Sequence, residues 1–341
     1  MANTRSSRAL YLVLLAGVLA CRRFEGQTRA GAGAGPVLVA VADIPLPGKP
    51  GRFDYQSLDD VSGRLYIARM GAGELIAFDT RSRRVAGIAG DLPKATGVLA
   101  VPTLNRVYVS AAGAHQLVVL VDSTLDRIAA VEGITFPDGL AFAPTEAKIF
   151  VSDEYGHREI VIDAGTHAHR AIALLGEVGN TQYDSVGQQI LVAVQTRNEV
   201  VTIDPHTERI TGRYRLTGAD HPHGVLIDAA RRLAFVANEG NSKLLVVDLT
   251  SMRVTSEYAV GKKPDVLAFD PGLRRLYVAS ESGVVTVLSE LDGHLRMLGT
   301  YRAPNAHSVA VNPVTHEVYL PLANLAGRPV LRILTPADSL R

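Results

Sequence analysis

The stretch DVLAFDPGLRRLYVASESGVVTVLSE (Asp265 to Glu290) decides the fold of this chain. It holds three apolar runs of strand length, DVLAFD, RLYVAS and VVTVLSE, which are separated by short segments containing Gly, Pro and Ser. A fourth run, HLRMLGTYRA (His294 to Ala303), follows the turn residues Asp292 and Gly293. Short apolar runs with turn formers between them indicate antiparallel strands. The unit is therefore predicted to be a four-stranded antiparallel sheet.

One strand of this unit recurs at regular intervals through the chain. Its copies read RLYIA, RVYVS, KIFVS, QILVA, LAFVAN, RLYVAS and EVYLP. The aromatic position, or the residue that replaces it, falls at Tyr66, Tyr108, Phe150, Leu191, Phe235, Tyr277 and Tyr319. The successive spacings are 42, 42, 41, 44, 42 and 42 residues. A four-stranded unit with this regular repeat is the pattern of a β-propeller blade.

The predicted fold class is all-β, a seven-bladed β-propeller with four-stranded antiparallel blades. No run keeps a period of 3.6 residues for three turns, which excludes a helical solenoid. The seventh unit supplies only three strands, whereas VLVAVADI (Val37 to Ile44) precedes the first unit without a partner. We therefore expect residues 37–341 to form one propeller, closed by the N-terminal strand joining the last blade, so that no long sheet edge stays open.

The first twenty residues indicate an export signal peptide. Arg5 and Arg8 precede an apolar stretch, Ala9 to Ala20, which is short for a membrane span. The single cysteine, Cys21, follows the tripeptide VLA, as in a bacterial lipobox. Lipidation of Cys21 is therefore expected, with ordinary cleavage and a free N-terminal cysteine as the alternative.

Residues 21–36 are charged and rich in Gly and Ala, which predicts a flexible tether. The chain is thus expected to be exported to the periplasm or the outer surface and anchored to the membrane through lipid on Cys21. Mass spectrometry of the mature N-terminus would test this expectation.

The charge balance bears on the kind of partner. Lys plus Arg number 35 and Asp plus Glu number 34, so the chain lacks the basic field that drives binding to nucleic acid, and no nucleic-acid partner is expected. The sequence contains no Gly-x-Ser-x-Gly elbow, phosphate-binding loop, Cys-x-x-Cys-His haem motif or dinucleotide fingerprint. Functions that depend on these motifs have no support.

Two segments, FVANEGNSKLLVVDLTSMRV (Phe235 to Val254) and LYVASESGVVTVL (Leu276 to Leu288), resemble the YVTN-repeat β-propeller family. Similar propellers include bacterial surface and periplasmic binding proteins, lactonases, virginiamycin B lyase and electron-transfer subunits. The resemblance implies a propeller fold. It leaves open whether such a chain is a binding scaffold or an enzyme, because one fold hosts many functions.

The repeat register identifies residues that converge on the channel mouth. The position just before the innermost strand of each blade is held by Asp54, Thr96, Asp138, Gly179, His223, Asp265 and His307, with Asn180 or Gln182 as alternatives in the shorter fourth unit. Loops expected on the same face carry three glutamates at one offset, namely Glu154, Glu239 and Glu281. His221 joins the set through the run HPHG, in which two histidines two residues apart could point the same way.

Converging carboxylates and imidazoles are suited to a divalent metal ion such as Ca²⁺, Mg²⁺ or Zn²⁺. In this hypothesis Asp265, Glu239 and Glu281 bind the metal, and His223 and His307 are catalytic. The remaining ligand-binding candidates are Asp54, Asp138, Asn180, Gln182 and His221. The alternative is structural, since Asp and His before a strand often cap turns and a wet channel mouth is polar in any case.

Two functions are compatible with these patterns. The first is an extracytoplasmic scaffold that binds a small-molecule or protein ligand on the upper propeller face. The second is a metal-assisted lactone hydrolase or lyase with its site at the channel mouth. A bound divalent ion and short distances among the predicted site residues would favour the second.

Overall fold

Residues 36–340 are described in a computed structural model, and they form seven four-stranded antiparallel sheets arranged as the blades of a propeller. The predicted fold class is therefore confirmed. The predicted signal (residues 1–20), nearly all of the tether and Cys21 lie outside the described residues, so export and lipidation stay predictions. The helices between residues 36 and 340 are short 3-10 segments, none of them long and apolar enough to cross a bilayer.

Strand β1 (Leu38–Pro45) comes first along the chain, and blades 1 to 3 follow it in order. Blade 1 consists of β2 (Gln56–Asp59), β3 (Arg64–Arg69), β4 (Glu74–Asp79) and β5 (Arg84–Ala89). Blade 2 consists of β6 (Ala95–Val101), β7 (Arg106–Ala111), β8 (Gln116–Val121) and β9 (Arg127–Glu132). Blade 3 consists of β10 (Pro137–Ala143), β11 (Lys148–Asp153), β12 (Arg158–Asp163) and β13 (His169–Ala173).

Blades 4 to 7 continue the same order from the channel outward. Blade 4 consists of β14 (Val178–Asp184), β15 (Gln189–Val194), β16 (Glu199–Asp204) and β17 (Arg209–Arg215). Blade 5 consists of β18 (Pro222–Asp228), β19 (Leu233–Asn238), β20 (Lys243–Asp248) and β21 (Arg253–Ala259). Blade 6 consists of β22 (Pro264–Asp270), β23 (Arg275–Ser280), β24 (Val284–Leu291) and β25 (His294–Arg302). Blade 7 contains β26 (Ala310–Val311), β27 (Val318–Leu325) and β28 (Arg328–Pro336), and 3-10 turns lie at Pro102–Leu104, Ala112–Ala114, Gln195–Arg197 and Ala337–Leu340.

The middle strands of the blades hold the core. In β7, RVYVSA, every residue after the first is buried, because both faces of the sheet pack against neighbouring blades. In the outer strand β21, RVTSEYA, burial alternates between exposed and half-buried residues, as expected for a strand with one face in water. The repeated aromatic position marks the centre of the core, with no exposed surface at Tyr66, Tyr108, Phe150, Phe235, Tyr277 and Tyr319.

Strand β1 closes the ring by completing blade 7. It pairs antiparallel with β28, with Ala40 opposite Leu334 and Ile44 opposite Leu331. Asp43 adds a two-point ion pair to Arg332, with both N···O distances at 2.7 Å. The predicted closure is confirmed, and its physical effect is that the outer edge of β28 is paired.

Glycines let the innermost strands approach one another. A Cβ atom added at Gly97 would lie 1.8 Å from the carbonyl oxygen of Asp138, and one at Gly224 would lie 2.0 Å from that of Asp265. Both contacts are far below van der Waals distance, so only glycine fits. Each of these glycines directly follows a residue of the channel mouth, so the close packing also fixes where the mouth residue sits.

We expect removal of residues 1–45 to destabilise the propeller, because β28 then presents unpaired backbone groups along its whole length. The thermal midpoint should fall by on the order of 10 °C, and light scattering should show aggregation. A chain that lacks only residues 1–35 keeps β1 and serves as the matched control. Equal midpoints for the two truncated chains would contradict the role assigned to β1.

Candidate functional site

A polar pocket of about 210 Å³ lies at the end of the channel where the innermost strands begin. Charged side chains make up most of its lining, and they come from blades 1, 3, 5 and 6. They are Arg52, Asp54, Asp138, Glu154, His223, Glu239, Asp265 and Glu281. Concave pockets with convergent polar groups are the usual places for ligand sites, so this pocket is the candidate functional site.

A repeated backbone hydrogen bond brings two sets of residues to this pocket. In blades 3, 5 and 6 the glutamate of the loop between the second and third strands donates its N–H to the carbonyl oxygen two residues before the mouth residue. The pairs are Glu154 with Phe136, Glu239 with His221 and Glu281 with Lys263, at N···O distances of 3.0, 3.0 and 2.9 Å. Because the bond is the same in each blade, the glutamates form a second ring beside the mouth residues.

The structure brings His223, Asp265 and His307 together. The Nε2 atom of His223 lies 3.9 Å from Asp265 Oδ1, and the Nε2 atom of His307 lies 4.0 Å from Asp265 Oδ2. His223 also lies 3.9 Å from Asp138 Oδ2, and His307 lies 3.7 Å from Asp54 Oδ1. These separations exceed hydrogen-bond length, so the side chains lie close together without satisfying one another's hydrogen-bonding capacity.

Among the described residues, two groups of three side chains could each hold a metal ion. Within each group, the three possible ligand atoms lie within 4.8 Å of one another. One group is His223, Glu239 and Asp265, and the other is Asp54, Asp265 and His307. Asp265 belongs to both and stands between the two histidines. Asp265 Oδ1 and His307 Nε2 are buried and have no hydrogen-bond partner among the described residues. Buried polar atoms without a protein partner are rare, and such atoms are suited to contact a ligand or an ion.

Burial changes the proton affinities of the carboxyl groups. It raises the pKa of Asp265 to about 6, although the nearby His223 and His307 act in the opposite direction. It also raises the pKa of Glu154 to about 7, against the attraction of His223, and it raises the pKa of Asp138 well above the usual range. Charge is therefore costly in this pocket, and the carboxylates lack sufficient positive partners.

The histidines respond to the same carboxylates. Burial acts to lower the pKa of His223, but Asp265 and Glu239 outweigh it, so the pKa lies above its ordinary value. His307 behaves likewise, because burial acts to lower its pKa but the nearby carboxylates of Asp54 and Asp265 outweigh burial and raise it. Both imidazoles thus carry a proton more readily than a free histidine does when no metal ion competes for them.

Several predicted residues stand elsewhere. The side chain of His221 does not point in the same direction as that of His223, because the φ angle of His221 is 50°, which is left-handed and interrupts the extended segment. Its exposed ring instead pairs with Asp220, at 2.8 Å between Nδ1 and Oδ1. Asn180 and Gln182 line a separate cavity of about 190 Å³ farther along the channel, because Gly179 occupies the mouth position in blade 4.

Glu281 is also placed differently from its predicted metal-binding role. Its Oε1 accepts a hydrogen bond from Arg52 Nη1 at 3.0 Å, and its Oε2 lies 3.6 Å from Lys263 Nζ. These two cations lower the pKa of Glu281 in spite of burial. Glu281 therefore positions Arg52 and belongs to neither set of candidate metal ligands.

Sequence reasoning missed three contributors to the pocket. Arg52 lies two residues before Asp54, the same offset as Phe136 before Asp138, so the repeat register held a signal for it. Tyr55 lies next to Asp54 and lines both the pocket and the cavity farther along the channel, with its buried hydroxyl unpaired. Tyr155 packs against Phe136 with ring centroids 4.7 Å apart and forms an aromatic wall.

Comparisons with known proteins bear on the fold alone. No protein-family model matches this chain, and no curated protein matches it in sequence. Among solved structures, a chain of Kuenenia stuttgartiensis hydrazine synthase is similar, with 15% identity, a TM-score of 0.73 and coverage of 85% of this chain and 97% of that one. U3-55K (10% identity, TM-score 0.72, coverage 85% and 98%) and the WD40 repeats of RRP9 (10%, 0.73, 87% and 99%) are similar as well.

The raised pKa of Glu154 predicts a specific pH dependence of stability. Its stabilising contribution is complete below the ordinary glutamate value near 4.5 and is lost as pH rises through about 7. With a chelator present, Glu154→Gln should therefore melt at the same temperature as the unaltered protein at pH 4 and higher at pH 8. Glu257→Gln, at an exposed glutamate of an outer strand, is the control. A difference that is equal at both pH values would contradict the assignment.

Proposed function

We propose that this propeller binds a divalent metal ion at the channel mouth through His223, Glu239 and Asp265, and that the ion holds a small-molecule ligand on the upper face. In this proposal the chain acts as an exported binding protein of the bacterial cell envelope, anchored by lipid on Cys21. The fold supports a rigid binding face, because the site residues lie at the ends of packed strands.

The observation that carries the proposal is that Asp265 Oδ1 is buried without a hydrogen-bond partner among the described residues. Asp265 is 4% exposed. Its Oδ1 is also the oxygen nearer to His223 Nε2, at 3.9 Å, and Glu239 offers a third ligand atom within 4.8 Å. An unpaired carboxylate oxygen in a buried position is costly, and a cation at this point would remove the cost.

The distribution of charge favours this set of ligands over the other one. On the His307 side, Arg52 lies 3.8 Å from Asp54 and 4.0 Å from Asp265, so a guanidinium already balances those carboxylates. On the His223 side, the carboxyl groups of Asp138 and Glu154 lie nearby as further oxygen donors, and the described residues place no Lys or Arg within ion-pair distance of either. A cation is therefore better accommodated on the His223 side.

The donor atoms suit more than one metal. An imidazole nitrogen with two carboxylates is a usual set for Zn²⁺, and the additional carboxylates nearby would also suit a hard cation such as Ca²⁺ or Mg²⁺. A bound ion would polarise a carbonyl or carboxylate group of the ligand. His223 must lose its proton to bind the ion, so cation binding is expected to release a proton.

A second candidate function is metal-assisted hydrolysis or elimination on a lactone. It is favoured by His307, whose buried Nε2 atom has no hydrogen-bond partner and lies 3.7 Å from Asp54 Oδ1. In this arrangement His307 would take or give a proton at Nε2, and the nearby Asp54 carboxylate would stabilise the protonated imidazole.

The second candidate predicts turnover by the metal-loaded protein. The metal-loaded protein should open the ring of at least one lactone in a panel, by hydrolysis or by elimination. His307→Gln should lower the rate by roughly 100-fold or more and should still bind the metal. His294→Gln, at an exposed histidine of β25, is the matched control. The absence of turnover on any lactone with metal bound would leave the binding function and exclude this one.

The metal site itself predicts one ion per chain. Titration calorimetry with Ca²⁺, Mg²⁺ and Zn²⁺ should show binding of at least one of them, and elemental analysis should give its stoichiometry. His223→Ala and Asp265→Asn should each weaken binding by roughly 100-fold or more, since each removes a ligand. His206→Ala, in an exposed turn, should bind as the unaltered protein does. Failure of all three ions to bind would refute the proposal.

A further inference from the structure

Arg52 stands between two pockets of the upper face. Its side chain lines the metal-site pocket and also a second pocket of about 420 Å³, as does its partner Glu281. The second pocket lies where blades 6, 7 and 1 meet, and its other lining residues are Pro50, Gly51, Asn305, Ala306, His307, Ala323 and Asn324. The Arg52–Glu281 ion pair is therefore the partition between the two spaces.

Most of the hydrogen-bonding capacity of Arg52 is unused. Among the hydrogen bonds of the described residues, its guanidinium makes one, from Nη1 to Glu281 at 3.0 Å. Asp54 and Asp265 lie at 3.8 and 4.0 Å, beyond hydrogen-bond distance. The side chain is 45% exposed, so the remaining N–H groups can reach a ligand. A planar fork of free N–H donors is suited to bidentate binding of a carboxylate.

The backbone around Arg52 is held firmly. The carbonyl oxygen of Arg52 accepts a hydrogen bond from Gly71 N at 2.9 Å, and Gly51 N donates to Ala323 O at 3.3 Å. A Cβ atom at Gly71 would lie 2.7 Å from Arg52 N, so the two segments are in close contact. The guanidinium is thus presented from a fixed point, and only the side chain has to adjust when a ligand binds.

Resting on the proposed metal site, we propose that the ligand is a small organic acid. Its carboxylate binds the free N–H groups of the Arg52 guanidinium beside Glu281, and its organic body lies in the second pocket against Ala306 and Ala323. Asn305 and Asn324 line the same pocket and offer amide groups to polar substituents of the body.

Charge makes the two binding events depend on each other. Without a metal ion, Asp54, Asp265 and the glutamates of the mouth repel an incoming carboxylate. With the ion bound beside Asp265, part of that negative charge is neutralised, so the acid binds more tightly. By thermodynamic linkage the acid must strengthen metal binding by the same factor.

The test uses propionate as the probe, with propionamide as its uncharged counterpart. Proton NMR titrations of the full exported chain would be run with a chelator and with the metal ion that binds. We expect propionate to bind roughly tenfold more tightly with metal present, and propionamide not to bind. Propionate affinity that does not change with metal, or equal binding of propionamide, would overturn the inference.

Single substitutions test propionate binding and metal binding independently of each other. Arg52→Met should weaken propionate binding by at least roughly tenfold and leave metal binding unchanged or stronger, since it removes a cation 4.0 Å from Asp265. Glu281→Gln should strengthen propionate binding, because it removes a negative charge beside the binding position. Arg83→Met breaks a similar ion pair, Arg83–Glu317, away from the site and should change neither.

Each outcome decides a different claim. If metal binds and propionate does not, the organic-acid inference is wrong and the metal site stands. If no metal binds, the proposed function is wrong before the inference is reached. If sulfate binds at Arg52 more tightly than propionate does, the site is selective for another oxyanion and the carboxylate assignment is overturned.

Discussion

The close approach of seven innermost strands around one axis is the constraint on which the rest of this structure depends. Backbone groups of neighbouring blades come so near that Gly97 and Gly224 cannot carry a side chain. The residue before each such glycine is thereby held at the channel mouth. The site is thus a consequence of ring packing, and its side chains are positioned by strands that the core keeps rigid.

This positioning has an energetic cost that the fold must absorb elsewhere. Asp138, Asp265 and His223 are almost fully buried, and the proton affinities of these groups are shifted because charge is poorly solvated there. A protein selected for stability alone would not gather unpaired carboxylates at one point. Such clusters of perturbed groups occur more often at functional sites, and this supports a binding role for the channel mouth.

Much of the candidate site could be predicted from repeat register. His223, Asp265 and His307 share one offset, and the structure brings them together at a single point. The structure differs from the expected direction of one side chain: His221 pairs with Asp220 outside the pocket, because its backbone is left-handed. The prediction also assigned Glu281 to a metal without knowledge of Arg52, whose guanidinium takes that carboxylate.

The sequence by itself determined the number of blades, the order of strands and the closure by β1, because each follows from local patterns repeated at regular spacing. It also determined which residue types reach the channel mouth. Only the tertiary structure decided which of them share a space and which are already neutralised. The reason is physical: strand periodicity is a property of neighbouring residues, whereas the partners of Asp265 come from blades 1, 5 and 7 and depend on how separate sheets pack.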